Sequence, residues 1–227
     1  MPPPGIGPNE QFGGHYYDWR IKRLTLLLRH FGPATLRGKT VLEVGCGFGD
    51  LGAHFLALGA DVTFADARQE HLDVVRSRYP AARRLKMDAA EAYAIDDNAF
   101  DIVLHLGVLY HLPPATLKRA VAEACRVGRQ LCLETIVSDS SDPAYCPPTV
   151  EAGYDQAFSG TGSRPSPAFV ESCLTAARLD WQRFDDPALN SGPHIYDWVP
   201  KNNGDYDGTQ PGRLWGHRRL WIASKGN

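Results

Sequence analysis

The chain has no excess of positive charge. Its 227 residues carry 24 Lys and Arg against 26 Asp and Glu, a formal net charge of −2. A protein that tracks a nucleic-acid backbone usually has a basic surplus, so nucleic acid is not the favoured partner. No apolar run approaches membrane-spanning length, so no membrane partner is expected. The opening Met1-Pro2-Pro3-Pro4-Gly5 has neither the basic nor the apolar stretch of a secretory signal, and a cytoplasmic location is expected. No CxxC occurs among Cys46, Cys125, Cys132, Cys146 and Cys173. Scattered cysteines in odd number suit reduced thiols acting as small buried hydrophobes. No His, Cys or carboxylate spacing suggests a metal site. No internal repeat is visible.

What is present is enough apolar residue for a full core. At 43% hydrophobic, the chain fits one domain with additions. The most informative stretch runs from Val41 to Gly52, VLEVGCGFGDLG. Val41, Leu42 and Val44 suit a strand buried on both faces, as in a parallel sheet. Gly45, Gly47 and Gly49 let the backbone turn tightly and approach a ligand, because no Cβ intervenes. A helix starting near Asp50 would aim free N–H groups at that ligand. This arrangement suits an adenosine-containing cofactor.

Two cofactors compete for the loop. A dinucleotide fingerprint can be drawn through Gly47, Gly49 and Gly52, with Asp66 about 20 residues on. In that register the first glycine does not directly follow the strand, and the Asp50 carboxylate would face a pyrophosphate. The other drawing, strand then GxGxG with Glu43 inside the strand, resembles motif I of class I S-adenosylmethionine (SAM) methyltransferases. A cationic sulfonium meets no penalty from Asp50.

Four further strands follow: Asp61–Asp66, Arg84–Ala89, Phe100–His105 and Gln130–Thr135. An acid closes each of the first three strands of the series, and GVLYHL (107–112) follows the fourth. A carboxylate at Asp66 can accept both hydroxyls of a ribose, and Asp88 is placed to meet an adenine amino group. Helix N-capping is the alternative role for either acid. Over residues 38–137 the set is similar to class I methyltransferases. The resemblance implies a Rossmann-like α/β fold, with a seven-stranded, mostly parallel sheet, an antiparallel strand seven and helices on both faces. It also implies S-adenosyl-L-methionine as cofactor, held by Glu43, Gly45, Gly47, Gly49, Asp66, Ala67, Asp88, Ala89 and His105.

Residues 1–37 form an N-terminal arm and helix ahead of the domain at 38–227. Ile21, Leu24, Leu27, Leu28 and Phe31 recur at helical spacing, and Gly32-Pro33 stops the helix. Such a helix can pack near the cofactor, where Tyr16, Tyr17 and Trp19 cover its methionine end and Arg20 pairs with its carboxylate. Substrate loops are expected at about 138–167 and 185–213, both turn-rich and aperiodic. Tyr145, Tyr154, Phe158, Tyr196, Trp198 and Tyr206 either wall an acceptor pocket or fasten these loops down.

Methyl transfer needs alignment and exclusion of water, and a hydroxyl acceptor also benefits from a base. His111, His194 and His217 are the candidate histidines, and His111 has the best position. Glu134, at the end of strand five, is the second candidate catalytic residue. The expected acceptor is a small molecule methylated on oxygen, of sugar, glycan or natural-product type. GVLYHL, LCLET (131–135) and RPSPAFVESCL (164–174) are also similar to the methyltransferase domain of the wobble-uridine tRNA carboxymethyltransferase family. That likeness implies carboxy-SAM as an alternative donor, with Arg164 or Arg20 facing its extra carboxylate. The chain lacks that family's large tRNA-handling region, and its only basic cluster is local: Arg213, His217, Arg218 and Arg219. A dinucleotide-binding or non-catalytic module is the third reading.

Overall fold

A computed structural model describes residues 15–138, 140–151, 153, 156–183 and 218–226, with backbone alone for 15–19. Helix α1 (His15–Phe31) precedes β1 (Thr40–Val44), α2 (Gly52–Ala57), β2 (Asp61–Asp66), α3 (Gln69–Arg78), β3 (Arg83–Lys86) and β4 (Phe100–Leu106). Then come α4 (Leu117–Val127), β5 (Gly128–Ile136), β6 (Pro148–Val150), β7 (Thr161–Ser163), α5 (Pro167–Ala176), β8 (Leu179–Arg183) and β9 (Arg218–Lys225).

Seven strands form one sheet in the order β3-β2-β1-β4-β5-β9-β8. The pairs among β1 to β5 are parallel, and β9 runs antiparallel to both β5 and β8. This is the expected class I methyltransferase fold. The strand order reverses between β1 and β4, and in such sheets ligands bind beyond the carboxyl ends of the strands at that point.

The alternation of side chains across β1 separates two cores. Leu42 and Val44 pack with β4, β5, α4 and α5. Val41 faces the other layer, with Leu26 and Leu27 of α1, Phe55 of α2 and Phe64 of β2. Helix α4 places Leu117, Ala120, Val121 and Ala124 on its buried face, the spacing of an amphipathic helix. Ser166 caps α5 by accepting the Phe169 N–H at 2.9 Å, and Pro167 starts the helix.

Three expectations change. Helix α2 begins at Gly52 rather than near Asp50, and its first N–H donates to the Glu43 carboxylate at 3.1 Å instead of to a ligand. In helix α1 the expected Leu24, Leu27, Leu28 and Phe31 do pack on the core, but Ile21 is 62% exposed, whereas Arg23 is buried beside Leu26 and Leu27. The buried Glu134 carboxylate supplies the partner that allows this. The aperiodic stretch after β5 contains a β6–β7 hairpin that pairs Pro148 with Ser163 and Val150 with Thr161. The second expected loop, with His194, Tyr196, Trp198, Tyr206, Arg213 and His217, lies outside the described residues, as does Tyr154.

Candidate active site

The end of β1 opens into a cavity walled by the glycine loop, the ends of β2 and β4, the segment after β3, α1 and the hairpin region. Gly45, Gly47 and Gly49 all have positive φ, at 61°, 53° and 74°. A Cβ on Gly45 would collide with the Val108 side chain, so the close approach of the two loops requires glycine there. Gly49 is not on the wall; it lets the turn pack on Phe64 and Tyr79 of the β2–α3 layer. Gly52 is small for a related reason, since a Cβ there would lie 2.6 Å from Phe64 and strike the Glu43 carboxylate.

The three strand-end acids converge on the cavity. Glu43, Asp66 and Asp88 all line the cavity, with Ala67 and Ala89 beside them. Asp66 accepts the Gly47 N–H at 2.9 Å on one oxygen and the Arg68 N–H at 2.9 Å on the other. Its Oδ1 also lies 3.2 Å from His71 Nδ1. Asp88 accepts the Ala90 N–H at 2.9 Å. These bonds brace local turns rather than cap helices, and a carboxylate has further lone pairs for a ligand. Burial pushes the Glu43 carboxyl up to about 8; the Gly52 N–H opposes this, Asp50 adds to it, Arg23 opposes it and Asp66 adds to it. Asp50 also lies on the wall, held by Arg78 at 2.7 Å and Arg20 at 3.2 Å. Arg20 is therefore at the cavity, as expected, but in an ion pair with Asp50. The Tyr16, Tyr17 and Trp19 side chains lie outside the described residues.

Besides Gly49, two predicted residues are placed elsewhere. His105 is fully buried on β4, opposite Val44 and Leu133, and is off the cavity wall. Burial lowers its pKa to about 4, so it is a neutral core histidine. Glu134 is also fully buried and off the wall. Its Oε1 accepts from Arg218 at 2.8 Å and its Oε2 meets Arg23. A carboxylate clamped by two guanidinium groups is a poor base, so Glu134 is a structural anchor. Arg218 is itself buried, so it adds nothing to a basic surface.

His111 does stand on the wall, in a short 3₁₀ turn, Leu109–His111, next to Gly107 and Val108. The Tyr110 ring lies 3.9 Å from the imidazole, centroid to centroid. Burial holds the His111 pKa below its ordinary value, although the Glu151 carboxylate at Nδ1 opposes this. Glu151 was not anticipated from the sequence. Arg164 donates to its other oxygen at 2.8 Å, so Arg164 is engaged inside the protein. Of the loop aromatics, Phe158 is on the wall beside Arg68 and Gln156, and Tyr145 is exposed away from it. No sequence signal marks Arg68, His71 or Gln156 as wall residues. All five cysteines are free, four of them buried.

The residues present fit S-adenosylmethionine. Glu43, Asp66 and Asp88 line the cavity around the glycine loop, and the nearby Arg20 and Arg78 are engaged by Asp50. The sheet order and the antiparallel β9 are those of the class I methyltransferase fold.

Comparison with known proteins agrees. Residues 41–130 match the family described as "Methyltransferase domain". The ubiquinone biosynthesis O-methyltransferase of Aromatoleum aromaticum is 36% identical over 108 residues, which is 45% of this chain and 46% of that enzyme. The chain thus spans about half the length of the curated relatives it matches. Among solved structures, the 1,6-didemethyltoxoflavin-N1-methyltransferase of Burkholderia thailandensis superposes with a TM-score of 0.54 at 19% identity, over 94% of this chain and 90% of that one. Magnesium protoporphyrin IX methyltransferase from Synechocystis gives 0.59 at 14% identity, over 94% and 85%. At these identities the structural likeness is one of fold.

Proposed function

We propose that this chain is a SAM-dependent methyltransferase that methylates a hydroxyl of a small-molecule acceptor, with His111 as general base. The observation that carries the reading is His111 on the wall of the cavity that also holds the glycine loop and Asp66. When bound, the cofactor supplies a methyl group activated by its sulfonium. Asp66 accepts from the ribose, Asp88 from the adenine, and Glu43 and Arg20 face the methionine end. His111 takes the hydroxyl proton, a role commonly worth about 10²–10⁴-fold in rate. Burial keeps the imidazole neutral near pH 7, with a lone pair free to accept a proton.

The O-methyltransferase relatives support an oxygen acceptor. The structural neighbours include an N-methyltransferase, so the fold alone does not choose the atom; His111 on the cavity wall supports the oxygen reading. The test is release of S-adenosylhomocysteine from SAM over a panel of catechols, phenols and hexopyranosides. Turnover with a hydroxyl compound, lost in His111→Ala while cofactor affinity holds, is the expected result. The narrower tRNA-modifying reading rests on the motifs at 107–112, 131–135 and 164–174. Turnover on tRNA that collapses with added salt is its signature.

A further inference from the structure

We infer that Glu151, on the hairpin beyond β5, is a positioning residue that fixes the tautomer of His111. The inference rests on the reading of His111 as the base and names what prepares it.

The His111 ring meets Glu151 Oε2 through Nδ1. A neutral imidazole has one N–H donor and one lone-pair acceptor, and a carboxylate only accepts. Glu151 therefore holds the proton on Nδ1 and leaves the lone pair on Nε2. Among the described residues no hydrogen bond is made by Nε2, while the His111 side chain keeps 19% of its surface exposed against 5% for Glu151. The carboxylate is itself fixed from behind. Arg164 Nη1 donates to Oε1 at 2.8 Å, and Arg164 is held in turn by Thr149 Oγ1 at 3.3 Å and the Ser163 carbonyl at 2.8 Å. Burial alone would raise the Glu151 carboxyl, but His111 and Arg164 together hold it below the usual range.

The surrounding fold is shaped for this contact. A Cβ on Gly162 would lie 2.7 Å from Glu151 Cδ and would strike the Tyr110 carbonyl. The charged groups facing His111 come from three elements: Glu151 next to β6, Arg164 next to β7 and Arg218 at the start of β9. Arg164 and Arg218 also sit 5.4 and 4.9 Å from the Tyr110 ring centroid. Two cations disfavour an imidazolium at this spot, and Glu151 is the group that offsets them.

In the reaction, Nε2 takes the acceptor O–H proton as that oxygen bonds the methyl carbon. The C–S electron pair stays on sulfur, and the resulting imidazolium lies against the Glu151 carboxylate. An amine acceptor arriving neutral has no need of such a pair, so the dyad points to an O–H substrate.

The test is side-chain ¹⁵N NMR of the histidines in the S-adenosylhomocysteine-bound protein, with His111 assigned through His111→Gln. Wild type is expected to carry its proton on Nδ1 and a bare Nε2. In Glu151→Gln the His111 titration shifts to lower pH, because the carboxylate that favoured the imidazolium is gone. Turnover on the best acceptor of the panel then falls about 10- to 100-fold, a share of the base's full effect, with the KM for SAM within about twofold. A wild-type proton on Nε2 overturns the inference without any variant; so does a Glu151→Gln titration that matches wild type. Full turnover in His111→Gln would instead remove the base reading itself.

Discussion

Arg218 and Glu134 form a fully buried ion pair, Nη1 to Oε1 at 2.8 Å, across the antiparallel β5–β9 seam. Arg218 stands opposite Ile136, two residues beyond Glu134, so the two side chains meet diagonally on one face of the sheet. Arg23 of α1 takes the other Glu134 oxygen, and Arg218 reaches the Tyr110 hydroxyl at 3.2 Å. The N-terminal helix, the sheet and the turn that carries His111 thus meet at one carboxylate.

Removing that carboxylate leaves two buried guanidinium groups without their charge partner. Glu134→Gln is expected to cost about 3–5 kcal/mol of stability, the usual penalty for breaking a buried ion pair. Urea denaturation at pH 7 measures it. A loss under 1 kcal/mol, with turnover abolished in a well-folded variant, would return Glu134 to a catalytic role.

Gly45→Ala tests the glycine loop. The new Cβ meets the Val108 side chain from a backbone at φ 61°, a conformation that costs a non-glycine residue about 1–2 kcal/mol. The fold should survive, with S-adenosylhomocysteine affinity reduced more than tenfold by calorimetry. Unchanged affinity would place the cofactor elsewhere.

Glu43 ties cofactor binding to pH. With its carboxyl pushed up to about 8 by burial, Glu43 is mostly protonated in the free protein at pH 7. Pairing with the cofactor's ammonium group requires the carboxylate, so binding should release a proton and tighten as pH rises from 6 to 8. Calorimetric titrations in two buffers of different ionisation enthalpy read the release. Glu43→Gln should abolish it.

His105 ties stability to pH in the same direction, through a buried neutral imidazole. Its folded pKa, about 4, lies below the unfolded value of 6.5. The unfolded chain therefore binds the extra proton, and stability falls as pH drops from 6.5 toward 4. At pH 5 the His105 share is about 2 kcal/mol by linkage. His105→Leu should narrow the stability difference between pH 7 and pH 5 by roughly that amount, as read by urea denaturation at both pH values.

The sheet was legible because its strands are short, nearly continuous apolar runs closed by an acid, and those acids do gather at the cavity. What escaped the sequence are contacts between distant residues. Ile21 fits the apolar stripe of α1 but faces outward, because a buried carboxylate 111 residues away draws Arg23 inward. Glu151 follows a weak three-residue strand, and nothing local marks it as the partner of a histidine 40 residues earlier. His105 lies one residue before the end of β4, yet strand alternation turns it into the core with Val103 and Leu133. Glu134 lies near a strand end in the same way, and what holds it there, Arg23 and Arg218, comes from the two ends of the chain.

The most direct test of the account is ligand-induced stabilisation of the purified chain by S-adenosylhomocysteine and by NADH. A ligand that binds the native state at a hundredfold excess over Kd adds about 2.7 kcal/mol. Stabilisation by S-adenosylhomocysteine, absent with NADH and lost in Gly45→Ala, is the predicted result. Stabilisation by NADH alone would contradict the reading of the cavity and the function built on it.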